Sequence, residues 1–234
     1  MNLLQPCAKV RLESGLLDSL ARPHIGRSSR VNRHKFLTLV GAGVFTAPPI
    51  SWARLACGPF VPPGVQQCEA GIDSSVAHVT AATVGGQHLS QWCWAACIEM
   101  VFRYYGLQVP QAQIVQQTWG RIVNLPGLPG QILENLNRPW IDAAGRQFRV
   151  SGDAFTANPI TAAQDLAQDM PLIIGTMGHA MVLTALTYVR DLNGNGYVIS
   201  AVVRDPWPGR GRRVLSAQEW NATSFLARIR VIPM

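Results

Sequence analysis

Apolar residues recur along this chain at two periods, and the change from one to the other divides it. Cys93, Ala96, Cys97, Met100, Val101 and Tyr104 are spaced by threes and fours, which is one face of a helix. That helix is predicted to take Ser90 as its N-cap and to stop at Gly106, where glycine accommodates the left-handed backbone after a last turn. Glu99 and Arg103, four apart, read as its outward side, and a helix this apolar belongs in the middle of a fold. Further helices are predicted from Pro110 (PQAQIVQQTW), near Gln131 (QILENL) and over residues 162–168. From Pro171 the period shortens. PLIIGT, then HAMVLTALTYV, then YVISAVVRD after a turn at DLNGNG, read as successive strands. LSAQEW carries a capping box, Ser216 with Glu219. FLARIRVI alternates in the manner of an edge strand. Helices first and an antiparallel sheet after them make an α+β plan in two lobes.

One apolar run fits neither period. Residues 36–47 follow Arg33 and Lys35, end at Pro48-Pro49, and lead to Ser51-Trp52-Ala53, the layout of a secretion signal over residues 31–53 within a leader of 1–53. Cleavage near Ala53 would deliver a secreted or periplasmic protein. The run is too short to span a bilayer, so no integral membrane span is expected. The leader also explains the charge. Of a net +7, residues 1–53 hold seven Lys or Arg against two acids, and the rest holds thirteen against eleven. A body so nearly neutral predicts no nucleic-acid partner, and Arg210, Arg212 and Arg213 read as a solvated loop. Export makes the cysteines oxidisable. Cys57 and Cys68 can close a small loop within the Pro/Gly-rich lead-in of residues 54–76. Cys93 and Cys97, on one helix, stand too far apart to bridge each other.

A thiol attacks a carbonyl well only as thiolate, and both a helix N-terminus and a neighbouring imidazolium favour that anion. Cys93, between Trp92 and Trp94 in QWCWAAC, lies in the first turn of the predicted helix. Beyond the leader the histidines are His78, His88 and His179. His179 opens an otherwise apolar strand, where an imidazole has little structural use; a core histidine satisfied by a carbonyl is the competing reading. A histidine acting as base needs an acceptor that fixes its tautomer. Asp205 ends the next strand, and hairpin register brings it within about one to three residues of the position opposite His179. Before Pro206 an aspartate is also an ordinary turn former. Acyl transfer further needs donors for an oxyanion: the Cys93 N–H, and the side-chain amide of Gln87 or Gln91.

These residues, in this order, resemble the papain-like cysteine peptidases, in particular the bacterial branch whose nucleophile lies in C-W-A-A. The likeness covers about the last 150 residues. It rests on Gln87 six residues before Cys93, Trp94 directly after it, H179-A-M-V, and D205-P-W207, where Trp207 shields the histidine contact from water. Papain itself has Asn where this chain has Asp205. The resemblance implies a two-lobe fold with the nucleophile helix packed on the sheet, and a peptidase domain over residues 77–234. It also implies a Cys93–His179–Asp205 triad with Gln87 as oxyanion donor, a protein or peptide substrate, and neither cofactor nor metal. It names no inhibitory partner. The same triad serves amidases and transglutaminase-type enzymes. A different class is a zinc module built from His88, Cys93, Cys97 and His179, which leaves Gln87, Trp94 and D-P-W unexplained. Specificity-determining contacts are expected from loops at 119–130 and 140–160.

Overall fold

The structure, a computed structural model, describes residues 54–155 and 158–234, without the side chains of Ala82, Thr83 and Pro233. The leader expected over 1–53 lies outside these residues. In chain order the elements are β1 (Arg54–Cys57), β2 (Val65–Gly71), α1 (Ser74–Val84), α2 (Cys93–Tyr104), α3 (Gln111–Trp119), α4 (Pro129–Asn135), β3 (Pro139–Ile141), β4 (Gln147–Phe155), α5 (Pro159–Ala167), β5 (Leu172–Thr176), β6 (His179–Asp191), β7 (Gly196–Asp205), β8 (Gly211–Val214), α6 (Ala217–Asn221) and β9 (Thr223–Pro233). Helices pack on an antiparallel sheet of nine strands, so the α+β class holds.

The sheet is organised around β6. One edge of β6 pairs first with β5, from His179 to Leu183, and then with β2, from Ala185 to Asp191; its other edge pairs with β7. Beyond β5 the order continues through β9 and β4 to β3. Both faces of the sheet are covered, which is why its central strands read as nearly continuous apolar runs. Ile173, Ala180, Val182, Phe225 and Ala227 point into the core around α2. Their neighbours Leu172, Ile174, Met181, Leu183 and Leu226 point the other way, into a second core that holds Ala162, Ala163 and Leu166 of α5. The turn Asp191–Gly196 is a hairpin loop, in which Asp191 Oδ1 accepts the N–H groups of Asn193 and Asn195. No helix among the described residues is long and apolar enough to cross a membrane.

Several expectations are corrected. Residues 54–71, expected as an extended lead-in, form β1 and β2, and pair into the sheet through β6. Their inward positions are Gln66, Cys68 and Ala70, too polar and too small to announce a strand. Cys57 and Cys68 are directly opposite and disulfide-bonded. The stretch 140–160 is mostly strand β3 and β4 rather than loop. β9 is not an edge: β5 and β4 flank it. Arg228, which made it look like one, is held by Asp165 of α5 at 2.8 Å and Asp153 of β4 at 3.0 Å. On α2, Ser90 is not the cap; Trp92 holds that position with no side-chain bond. Glu99 does not face outward either. It is buried, accepting from Gln111 Nε2 at 3.0 Å and from Arg103 at 3.4 Å.

The α2 core is keyed by Phe102, which no solvent reaches and which stands edge-on to Trp140 and Phe148 at 5.4 and 5.3 Å. Removing its ring leaves a void between α2 and β3–β4 that neighbouring backbone cannot fill. Phe102→Ala is expected to cost about 3–5 kcal/mol, read as a lower urea midpoint. A loss below about 1 kcal/mol would mean that this core collapses around the gap.

Candidate active site

The cysteine between two tryptophans has a local explanation. Trp92 Nε1 donates to the carbonyl of Val123 at 2.7 Å, and Trp94 Nε1 donates to the carbonyl of Leu125 at 3.2 Å. Two indoles thus hold two carbonyls of the 123–127 loop, on either side of Cys93. Asn124 completes the attachment. Its Oδ1 accepts the Gln91 N–H at 2.9 Å, and its amide donates to Ser90 Oγ at 3.0 Å. Gly127 lies flat on the Trp94 ring, where a Cβ would come within 2.5 Å of the indole. The loop is therefore a fixed wall, and Cys93 begins α2 at its foot with no side chain capping the helix.

His179 is delivered by a different device. Thr176 and His179 are paired, and the two residues between them, Met177 and Gly178, both have positive φ, 49° and 76°. That is the tightest hairpin connection, and its twist matches the strands it joins. The imidazole so fixed meets Asp205 at the end of β7, with Nε2 to Oδ1 at 2.7 Å. β7 reaches it because Arg204 pairs with Val182 at the end of the ladder, one residue before Asp205. The Trp207 ring stands edge-on to the imidazole at 6.4 Å. With Nε2 committed to Asp205, Nδ1 is the nitrogen that remains for proton exchange.

Cys93 and His179 line one cavity of about 330 Å³, together with Gln91 and the apolar surfaces of Trp94, Leu125 and Phe225. The loop at 119–130 contributes to its wall as expected; 140–160 does not. Gln87 is not part of the lining. It is buried, and both protons of its amide go to backbone carbonyls, Leu89 and Ser90 at 3.0 Å each. Its N–H donates to the carbonyl of Pro206 at 2.7 Å. Gly86 lies against the same carbonyl, where a Cβ would stand 2.8 Å away. Gln87 thus ties the loop before the cysteine to D205-P-W.

Two residues whose part the sequence did not announce hold this arrangement. Gln111, fully buried, accepts the His88 N–H and donates to both the Gly86 carbonyl and Glu99. Arg213, expected in a solvated loop, places Nε on Asp205 Oδ2 at 2.8 Å and Nη2 on Glu219 at 2.7 Å. The only hint of this in the sequence was the capping box, whose Glu219 also accepts the Ser216 N–H.

Burial and charge act together on the titrating groups of this site. Burial by itself would push the Asp205 carboxyl up. The hydrogen bond and charge of His179, the Trp207 N–H and Arg213 outweigh it and hold the group at about 2. The guanidinium of Arg213 likewise brings Glu219 to about 2. Burial, and then the Asp205 charge, push Cys97 well above the ordinary thiol range, so it stays protonated at neutral pH. Among the described residues the disulfide is Cys57–Cys68, and Cys93 and Cys97 are buried. Among the described residues His88, Cys93, Cys97 and His179 do not gather into a group that could hold a metal. Compared with models of known families and with curated proteins, the sequence matches none.

Asp205 and Glu219, whose ordinary values are 3.8 and 4.5, both titrate lower in the fold. Their stabilising contribution is complete above those ordinary values and is lost as pH falls towards 2. Arg213→Gln raises both groups, so its acid-unfolding midpoint, followed by far-ultraviolet circular dichroism, is expected at higher pH than that of the wild type. An unchanged midpoint would show that Arg213 does not hold the two carboxylates.

Proposed function

We propose that the chain is an exported cysteine peptidase of the papain-like kind, acting through Cys93, His179 and Asp205. The observation that carries the reading is the 2.7 Å bond from His179 Nε2 to a buried Asp205, with His179 and Cys93 lining one cavity. His179 Nδ1 takes the Cys93 proton, and the resulting imidazolium is stabilised by Asp205. The thiolate adds to a peptide carbonyl. As the tetrahedral intermediate collapses, the C–N bond breaks and the imidazolium gives its proton to the leaving amine. The thioester left on Cys93 is hydrolysed by a water from which His179 takes a proton; the acid leaves and the thiolate–imidazolium pair is restored. Charge on the intermediate's oxygen is met by the Cys93 N–H and by a glutamine amide.

The apolar lining suits a peptide that presents an apolar side chain beside its scissile bond. The layout of the helix that starts at Cys93, packed on the strand that starts at His179, favours the papain-like reading. So does the order of Gln87, Cys93, His179 and Asp205 along the chain. Export is supported by the Cys57–Cys68 disulfide, since such bonds persist in oxidising compartments.

The test is cleavage of a peptide library and of an unfolded protein by purified enzyme. Cys93→Ala should abolish turnover with the melting temperature little changed; full turnover in that variant ends the proposal. The two glutamines should separate. Gln91→Ala is expected to lower kcat by about 10²–10³ without loss of stability, because Gln91 lines the cavity. Gln87→Ala is expected to lower kcat and the melting temperature together, because its amide braces the loop. A Gln87→Ala variant that loses kcat at unchanged stability would make Gln87 the oxyanion donor.

A further inference from the structure

Arg204, the last residue of β7 before Asp205, is 7% exposed. Its Nε reaches no hydrogen-bond partner, and no ion pair to its guanidinium is made among the described residues. The charge that faces it across the sheet is of the wrong sign. Arg212 lies directly across the β7–β8 ladder, and burial followed by that neighbouring charge pulls the Arg204 pKa down. A buried cation without a counter-ion is among the costlier arrangements a fold carries. Arg228 shows the ordinary solution in this same protein, with a carboxylate on each side.

Arg204 borders a cavity of about 320 Å³, separate from the one that holds Cys93. Arg210, half-exposed, lines it too. Gly85, Gly86, Gly209 and Gly211 form much of the remaining wall, all with positive φ. Where the wall has no side chains, a ligand can approach the backbone closely. Asp205 also borders this space, but its carboxylate is already committed. Oδ1 accepts from His179 and the Trp207 N–H, and Oδ2 accepts from Arg213, with Arg210 at 3.7 Å. Arg213 and, more loosely, Arg210 meet the Asp205 charge, and Arg204 remains the cation without a counter-ion on the wall of this cavity.

We propose that this cavity is a binding site for a small oxyanion, seated between Arg204 and Arg210. Guanidinium groups match the paired oxygens of both carboxylates and phosphates. A free phosphate and the carboxylate of a small organic acid are the two sources of that chemistry. The site lies behind Asp205 and Trp207, away from Cys93, and the proposal holds whether or not the chain cleaves peptides.

The experiment titrates the purified protein with sodium phosphate or sodium acetate at constant ionic strength, with sodium chloride as reference. Binding is read by calorimetry and by melting temperature. Saturable binding with a higher melting temperature is expected; a response to phosphate alone assigns phosphate, and a response to both admits carboxylates. Arg204→Met should weaken binding at least about tenfold, the loss of a charged hydrogen-bond pair. Without added anion it should melt at or above the wild type, since it removes an unpaired buried charge. Arg210→Gln, at a half-exposed position, should weaken binding several-fold and leave the fold unchanged. Neither anion binding beyond chloride, or undiminished binding by both variants, overturns the proposal.

Discussion

Asp205 carries its charge where water does not reach, and the groups that make this tolerable define the site around it. A buried carboxylate survives only if its oxygens are met by donors. Here the donors come from separate places: His179 from the start of β6, Trp207 from the backbone just downstream, and Arg213 from β8. Each is thereby fixed relative to the others. Arg213 is fixed in turn by Glu219, whose carboxylate also caps α6. One charge thus orders an imidazole, a loop and a short helix, and it adds to the burial that keeps Cys97 neutral.

The wall opposite His179 is built on a different principle. The indoles of Trp92 and Trp94 bury their rings in the α2 core and spend their N–H groups on carbonyls of the 123–127 loop. An aromatic residue with a polar handle is suited to joining a core to a loop. Cys93 lies between the two attachments. Beneath it, the buried Gln111 and Glu99 hold the chain at Gly86 and His88. Support on both sides suits the nucleophile's part proposed for Cys93.

Much of this was legible in the chain. The periods marked α2 to α5 and β5 to β7 because each of those elements turns apolar side chains into a core. The hairpin register brought Asp205 to His179 because a tight turn and a two-residue repeat leave little freedom. What escaped reading was polar. β2 puts Gln66 inward, Glu99 and Gln111 sit in the core, and Arg213 is half-buried against two acids. Each of these is made tolerable by a partner distant in sequence, and no local pattern announces such a partner. β9 misled for the same reason, since the acids that receive Arg228 lie on α5 and β4. The glutamines divide along this line as well. Spacing singled out Gln87, whereas the fold spends its amide on Leu89 and Ser90 and leaves Gln91 at the cavity.

The account stands on Cys93 being a thiolate maintained by His179. Its absorbance near 240 nm, followed through pH in the wild type, Cys93→Ala and His179→Ala, tests that directly. One thiolate should form well below the ordinary thiol range of about 8.5, vanish in Cys93→Ala, and return to ordinary or higher pH in His179→Ala. A thiolate that first forms above pH ~8.5 in the wild type, or that is untouched by loss of His179, would contradict it.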